Sequence, residues 1–214
     1  MVKWVMILPS LDLENSLWSE GAEWVAGMDE VGRGPLAGPV VIGILAMRKG
    51  DVVVEGVRDS KATSQKQREK LHEAIKSSHI FHAIGEASND EIDSMGLAEA
   101  INVAMRRAVT NLTILMGKSP DVLLIDGKNM RDIEGVRCIK MDRGDSLHYT
   151  ISAASIIAKV YRDGLMVEYG GEFPEYGFEK HMGYGTKVHL NAIKQFGVTR
   201  IHRKSFAPVS KYLL

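Results

Sequence analysis

Four acidic side chains stand where chemistry is possible: Asp29 and Glu30 at the end of "EWVAGMDE", Asp126 at the end of "DVLLID", and Asp145 in "DRGDS". Asp29 closes a run too apolar to need a charge there. Clustered carboxylates at low dielectric repel, and they must protonate or recruit a cation. An all-oxygen set, with no cysteine and no histidine pair at metal spacing, selects hard divalent ions such as Mg2+ or Mn2+ over zinc. Two such ions about 4 Å apart form the clamp used for in-line phosphodiester hydrolysis. Each acid also has a plainer reading. Asp126–Gly127 suits a hairpin turn, Asp145 suits a cap for the following helix, and Glu30 suits a surface charge.

The elements that must position these acids alternate between strand and helix. "EWVAGMD", "PVVIGILAM", "HIFHAIGEAS", "DVLLIDG" and "GVRCIK" read as strands. "ENSLWSEGA" reads as a short amphipathic helix leading into the first strand, and "SQKQREKLHEAIKSS" as a polar helix capped by Ser64. Apolar residues at Leu97, Ile101, Met105, Ala108, Leu112 and Leu115 predict a helix over residues 97–116. "ISAASIIAKVYRDGLMVEY" is a small-residue helix suited to close packing on a sheet, and a final helix lies near Lys187 to Phe196. With no repeat or linker, residues 1–214 predict one α/β domain with a central mixed five-stranded sheet. A small helical C-terminal lobe covers about residues 176–214.

In an open α/β sheet, sites gather beyond the carboxyl ends of the strands. Acids far apart in sequence can therefore converge there. Successive strand residues point to opposite faces. For Asp29 and Glu30 to share one site, the chain must bend at Glu30, or Glu30 must reach round or act through water. Gly32 and Gly34 make such a bend possible.

Composition narrows the class. The 214 residues are 45% apolar and 25% charged, as in an ordinary globular protein. No apolar run approaches the roughly 20 residues needed to span a bilayer, and the opening "MVKWVMILPSLD" reads as the start of a strand or helix. A lone cysteine, Cys138 in "GVRCIK", fits a buried, inert thiol and a reducing cytoplasm. Net charge is zero but unevenly spread. From Tyr176 onward seven Lys or Arg face one acid, Glu179, giving +6, which leaves −6 for residues 1–175. Such asymmetry marks a surface that meets a polyanion.

These segments, taken in order, resemble the ribonuclease HII family. "GMDEVGRGPLAGPV" is similar to its hallmark, "DSKATSQKQREKL" to its DSK segment, "LLIDG" to its third-acid strand and "GDSLHYTISAASIIAKVYRD" to its fourth-acid helix. "YGFEKHMGYGTKVHL" and "IHRKSF" resemble its C-terminal signature, so the likeness runs from about Trp24 to Phe206. Thr63, Gly96–Leu97 and Met182 depart from the usual pattern without touching an acid.

The resemblance implies a ribonuclease H-like fold. It implies an endonuclease acting on RNA in RNA–DNA hybrids and incising 5′ of single ribonucleotides embedded in duplex DNA, leaving 3′-hydroxyl and 5′-phosphate ends. Asp29, Glu30, Asp126 and Asp145 would be the catalytic, metal-binding acids for two Mn2+ or Mg2+ ions. The Gly32–Arg33–Gly34 loop would bring bare backbone against the ribose, whose 2′-hydroxyl tells RNA from DNA. Tyr184 would stack on the deoxyribose that follows. Ser60, Lys61 and Lys187 are expected on backbone phosphates, as are Lys128, Lys159, Arg162 and Lys180. His202 and Arg203 are also candidates for phosphate contact, with Phe206 a core anchor and Asp163 a structural partner for Arg162 or a neighbouring base. The expected partners are RNA–DNA hybrids and ribonucleotide-containing DNA, met by a monomer away from membranes. Two alternatives stand beside this one: a ribonuclease HIII-type nuclease, disfavoured because only about 22 residues precede the first strand, and a hybrid-binding module without catalysis, disfavoured because all four acids are present.

Overall fold

The computed structural model describes residues 8–213, and the reading of residues 1–7 as a strand or helix start lies outside them. Val- and Ile-rich segments, which suit a pleated and buried surface, form β1 (Val25–Val31) and β2 (Val40–Met47). With β3 (Phe81–Ala87), β4 (Val122–Asp126) and β5 (Arg137–Met141) they make one five-stranded sheet of order β3-β2-β1-β4-β5. β1 pairs with β2, and β2 with β3, in antiparallel fashion. β1–β4 and β4–β5 are parallel. The sheet is mixed, as the sequence predicts.

Helices cover both faces. α1 (Asp12–Ser19) lies slightly upstream of its predicted span, and α2 (Gln65–Ser77) begins at a capping box in which Ser64 and Gln67 bond each other's backbone N–H. Such a cap contributes about 1 kcal/mol. An unforeseen helix, α3 (Asn89–Met95), carries the same signature in Ser88 and Glu91. α4 (Leu97–Met116) has its predicted bounds. Its stripe buries Ile101, Met105, Ala108 and Leu112, but Met116 packs on the core where Leu115 was expected. The step from Leu112 to Met116 keeps the i,i+4 spacing, and Leu115 turns to solvent.

The short α5 (Gly144–Leu147) leads into α6 (Tyr149–Glu172), the long small-residue helix. The two faces of the sheet follow the period of two. Ala26, Met28, Ile42, Ile44, Leu123 and Ile125 pack toward α4, and Val25, Leu45, Val122 and Leu124 toward α6. Two strand glycines let α6 approach closely. A methyl group at Gly27 would overlap the Thr150–Ile151 backbone, and one at Gly43 the carbonyl of Ala154. That closeness brings the start of α6 to the carboxyl ends of β1 and β4.

Beyond α6, three helices, α7 (Phe178–His181), α8 (Lys187–Phe196) and α9 (Ala207–Ser210), form the small lobe. Its apolar cluster centres on Tyr176 and Phe178, whose rings stack 5.3 Å apart, and it takes in Leu36 and Ala37 from the loop after β1. Phe206 packs between this cluster and the main core, as its anchor reading requires. Cys138 is half-buried where full burial was expected, because β5 is an edge strand; burial still pushes its thiol up. Among the described residues no helix is long and apolar enough to cross a membrane.

Candidate active site

The four acids meet at one end of the sheet. Along β1 the odd positions face α6, which puts Asp29 on that side, buried to 6% exposure. Asp126 closes β4 one residue past the last β1–β4 pair, Met28 with Ile125, and its parity puts it on the same face. Its Oδ1 accepts the Gly144 N–H at 2.7 Å, which ties β4 to α5 and so to Asp145, itself buried. Lys61, in a 3-10 turn (Ser60–Ala62), places Nζ 3.4 Å from Asp145 Oδ2.

Glu30 answers the question its neighbour poses. β1 does not bend before it: the ladder with β2 runs through Glu30–Ile42 to Val31–Val41. Glu30 therefore leaves from the opposite face, at the strand end, where its carboxylate pairs with Arg33. Burial lifts its carboxyl first, Asp126 lifts it further, and Arg33, 3.1 Å away, pulls it back.

Electrostatics ties the set together. Burial, then Glu30, Asp126 and Asp145, push the Asp29 carboxyl up to about 8, against a hydrogen bond from Ser155. Burial and Asp145 likewise raise Asp126. Lys61 is raised because the charges of Asp145 and Asp29 outweigh its own burial. Among the described residues no three acids or histidines already converge on one coordination point. Glu30 and Asp145 lean instead on Arg33 and Lys61. Crowded oxygen donors that raise one another's pKa, with no sulfur or imidazole among them, fit a hard divalent cation.

Several sequence expectations need correction. Ser60 is buried and its hydroxyl lies 2.8 Å from Ser155 Oγ, so its side chain braces the site from behind. Ser155 itself, in the small-residue helix, escaped sequence reasoning; only its position one turn beyond Ile151 could have flagged it. Asp145 does not cap α6. Glu14 does, its Oε1 accepting both the Thr150 N–H and the Thr150 hydroxyl. Arg162, His202 and Arg203 are fully buried, where exposed side chains were expected. Lys128, Lys159 and Lys180 are paired with Asp142, Asp163 and Glu179. Asp163, within α6, pairs with the neighbouring bases Lys159 and Arg68, in line with the second of its two readings, and its charge also acts on Arg162.

The glycine loop after β1 is shaped from inside. Gly32 has φ +97, a conformation that favours glycine. Its carbonyl accepts from Arg203 Nη2 at 2.6 Å, and the Arg33 carbonyl from Nη1 at 3.1 Å. Both carbonyls thus point inward, while the amides of Gly32, Arg33 and Gly34 take no partner among the described residues. A methyl group at Gly34 would sit 3.4 Å from Tyr184 Cε1, so the half-exposed ring lies beside the loop. Lys187, the first residue of α8, is exposed just beyond Tyr184.

A histidine pair supports that tyrosine. Thr199 N–H donates to His202 Nδ1 at 2.9 Å, which leaves His202 Nε2 as a donor to His189 Nε2 at 3.0 Å. His189 Nδ1 in turn donates to the Tyr184 carbonyl at 2.9 Å. Burial holds both imidazoles down to about 4, so both are neutral.

An open mixed sheet of this order, with acids gathered beyond the carboxyl ends of its strands, defines a nuclease of the ribonuclease H-like class. Residues 26–209 match the profile of the family described as ribonuclease HII. The chain belongs to the ribonuclease HII family and is a hydrolytic endoribonuclease that acts on RNA–DNA hybrids. It is 44% identical to a ribonuclease HII of Chlamydia abortus over 95% of this chain and 93% of the relative. The crystal structure of the ribonuclease H2 from Pyrococcus horikoshii OT3 superposes with a TM-score of 0.73 at 27% identity, covering 88% of this chain and 96% of that one. The Bst ribonuclease HIII in complex with Mn2+ gives a TM-score of 0.71 at 20% identity over 90% of this chain and 70% of that one, a likeness of fold alone.

Proposed function

We propose that this enzyme incises 5′ of single ribonucleotides in duplex DNA as well as within RNA–DNA hybrids, with Asp29, Glu30, Asp126 and Asp145 as its catalytic, metal-holding acids. The observation that supports this reading is geometric: Asp29 and Asp126 stand on the α6 face at the carboxyl ends of β1 and β4, and the Asp126–Gly144 bond ties them to the buried Asp145. Divalent ions, Mn2+ or Mg2+, would supply an activated water and a counter-charge for the departing oxygen. Asp29 and Asp126 would hold such an ion from the α6 face, Glu30 from the strand end, and Asp145 from α5.

The loop amides of Gly32, Arg33 and Gly34 donate toward the ribose, because Arg203 engages the carbonyls of Gly32 and Arg33. A 2′-hydroxyl accepts such donors and a deoxyribose cannot. Tyr184 lies against the next sugar, where a projecting hydroxyl would lift the ring away. Lys61 and Lys187 meet the phosphates on either side. The products carry a 3′-hydroxyl and a 5′-phosphate. We further propose a monomer acting in the cytoplasm, with residues 1–214 as one catalytic unit.

The test is a duplex with one ribonucleotide beside an all-DNA control, assayed with and without Mn2+ or Mg2+. Metal-dependent incision 5′ of the ribonucleotide alone is the expected result. Cleavage that survives chelation, or that also cuts the control, overturns the reading.

A further inference from the structure

Arg162 is a charged side chain whose hydrogen bonds among the described residues all go to backbone carbonyls. It rises from α6 into the space behind the glycine loop and is fully buried. Three of its nitrogens donate to three backbone carbonyls: Nε to Pro39 at 3.0 Å, Nη2 to Ala37 at 3.1 Å and Nη1 to Met182 at 3.0 Å. The first two acceptors belong to the loop after β1. The third belongs to the turn that carries Tyr184. Nε also lies where a side chain on Gly32 would have to go.

Arg203 gives the contrast. Its bonds reach the carbonyls of Gly32, Arg33, Gly38 and Pro39, all on the loop after β1. It shapes one element. Arg162 spans two, beside a single backbone bond between them, Leu36 N–H to the Gly183 carbonyl at 2.8 Å. The turn it grips is bent unfavourably: Met182 has φ +52, a region L residues with side chains rarely adopt. That bend aims the Met182 carbonyl at Arg162.

The two guanidiniums share the Pro39 carbonyl as an acceptor, at 3.0 and 3.1 Å. Burial pushes Arg162 down to about 10 and Arg203 to about 9, each still charged at neutral pH. Two like charges around one oxygen are a poor source of stability, since buried charges are costly unless paired. They do fix geometry, because a planar fork accepts only a narrow set of donor directions.

We propose that Arg162 is a positioning residue that sets the spacing between the ribose-reading loop and Tyr184, and thereby the preference for a ribonucleotide followed by a deoxyribonucleotide. The proposal rests on the roles given above to the glycine loop and Tyr184. It makes junction selectivity depend on a residue that never touches substrate. Lysine in its place keeps the charge but gathers its donors on one nitrogen, and so does not reproduce the fork that reaches the three separated carbonyls.

The test compares kcat/KM on a duplex with one embedded ribonucleotide and on a continuous RNA–DNA hybrid, for Arg162→Lys, Arg162→Gln, Tyr184→Ala and the Arg162→Lys/Tyr184→Ala double variant. The expected result is that each Arg162 variant lowers the ratio of the two activities roughly fivefold. The metal-activation curve stays in place. In the double variant the ratio is no lower than with Tyr184→Ala alone, because the spacing matters only while the ring is there. An unchanged ratio for Tyr184→Ala would defeat the reading of Tyr184 itself. A changed ratio there, with Arg162 variants that lose both activities equally or neither, would overturn the proposal and leave that reading standing. Failure of both Arg162 variants to fold would mark Arg162 as a folding requirement and likewise overturn it.

Discussion

Arg203 Nη2 and the carbonyl of Gly32 lie 2.6 Å apart, deep behind the glycine loop that follows β1. Substituting Arg203→Lys leaves most of its four acceptors unmet, and each buried unmet carbonyl costs about 1–3 kcal/mol. Thermal unfolding should move down by several degrees. If the loop meets every ribose, as proposed, kcat/KM should fall by a similar factor on the embedded ribonucleotide and on the continuous hybrid. A loss confined to one substrate would show that Arg203 does not set the loop as a whole.

Asp29→Asn should stabilise the metal-free protein while abolishing activity. The Asp29 carboxyl is raised from 3.8 to about 8, so its contribution is fully present below pH 3.8 and is lost as pH rises through 8. Asparagine is neutral throughout and can keep the acceptor for the Glu30 N–H. In chelator the variant should gain roughly 5 kcal/mol at pH 8 and little at pH 4. Denaturant titrations at the two pH values check this, and an equal change at both would remove the charge explanation.

The buried pair His189 and His202 predicts acid sensitivity of the lobe. Both imidazoles are lowered from 6.5 to about 4, so the stability they contribute is complete above pH 6.5 and is lost as pH falls through 4. Between those values the unfolded chain binds more protons than the folded one. The expected cost by pH 4 is about 3 kcal/mol, read from urea midpoints and from amide exchange in α8. Protection in α8 that stays flat from pH 7 to 4 would contradict it.

Most elements were legible because their signals are local. The apolar period marked α4 to the residue, and strand parity with a terminal acid marked β1 and β4. The long-range parts were not. Arg162, Arg203 and His202 look like cations for phosphate when read alone, and only the packed lobe shows the arginine nitrogens turned to backbone carbonyls and those of His202 to Thr199 and His189. Ser155 and Glu14 carry no pattern of their own; each matters through a partner far away in sequence, Ser60 and Thr150. The very short α5, α7 and α9, of four residues each, lie below the length at which periodicity speaks.

Burial also trims the basic footprint. Of the seven bases after Tyr176, Arg203 is inside, and Arg200 and Lys180 are paired with Glu172 and Glu179. Lys187 and Lys61 remain exposed on the site's side. Reversing either to Glu should lower the slope of log affinity against log salt by about one or more. Lys49→Glu, in the exposed turn after β2, should leave it alone. Equal slopes for all three would move the footprint elsewhere.

The central claim, that the acids beyond β1 and β4 bind the activating ions, is tested most directly at Asp126. Asp126→Asn preserves size and the acceptor for the Gly144 N–H while removing one charge. Measure calorimetric binding of Mn2+ and, in parallel, affinity for an uncleaved hybrid and turnover of a duplex with one ribonucleotide. The account predicts weakened Mn2+ binding, hybrid affinity within about twofold of the parent, and turnover reduced by at least roughly a hundredfold even at saturating ion. Near-normal turnover with unchanged Mn2+ binding would contradict it.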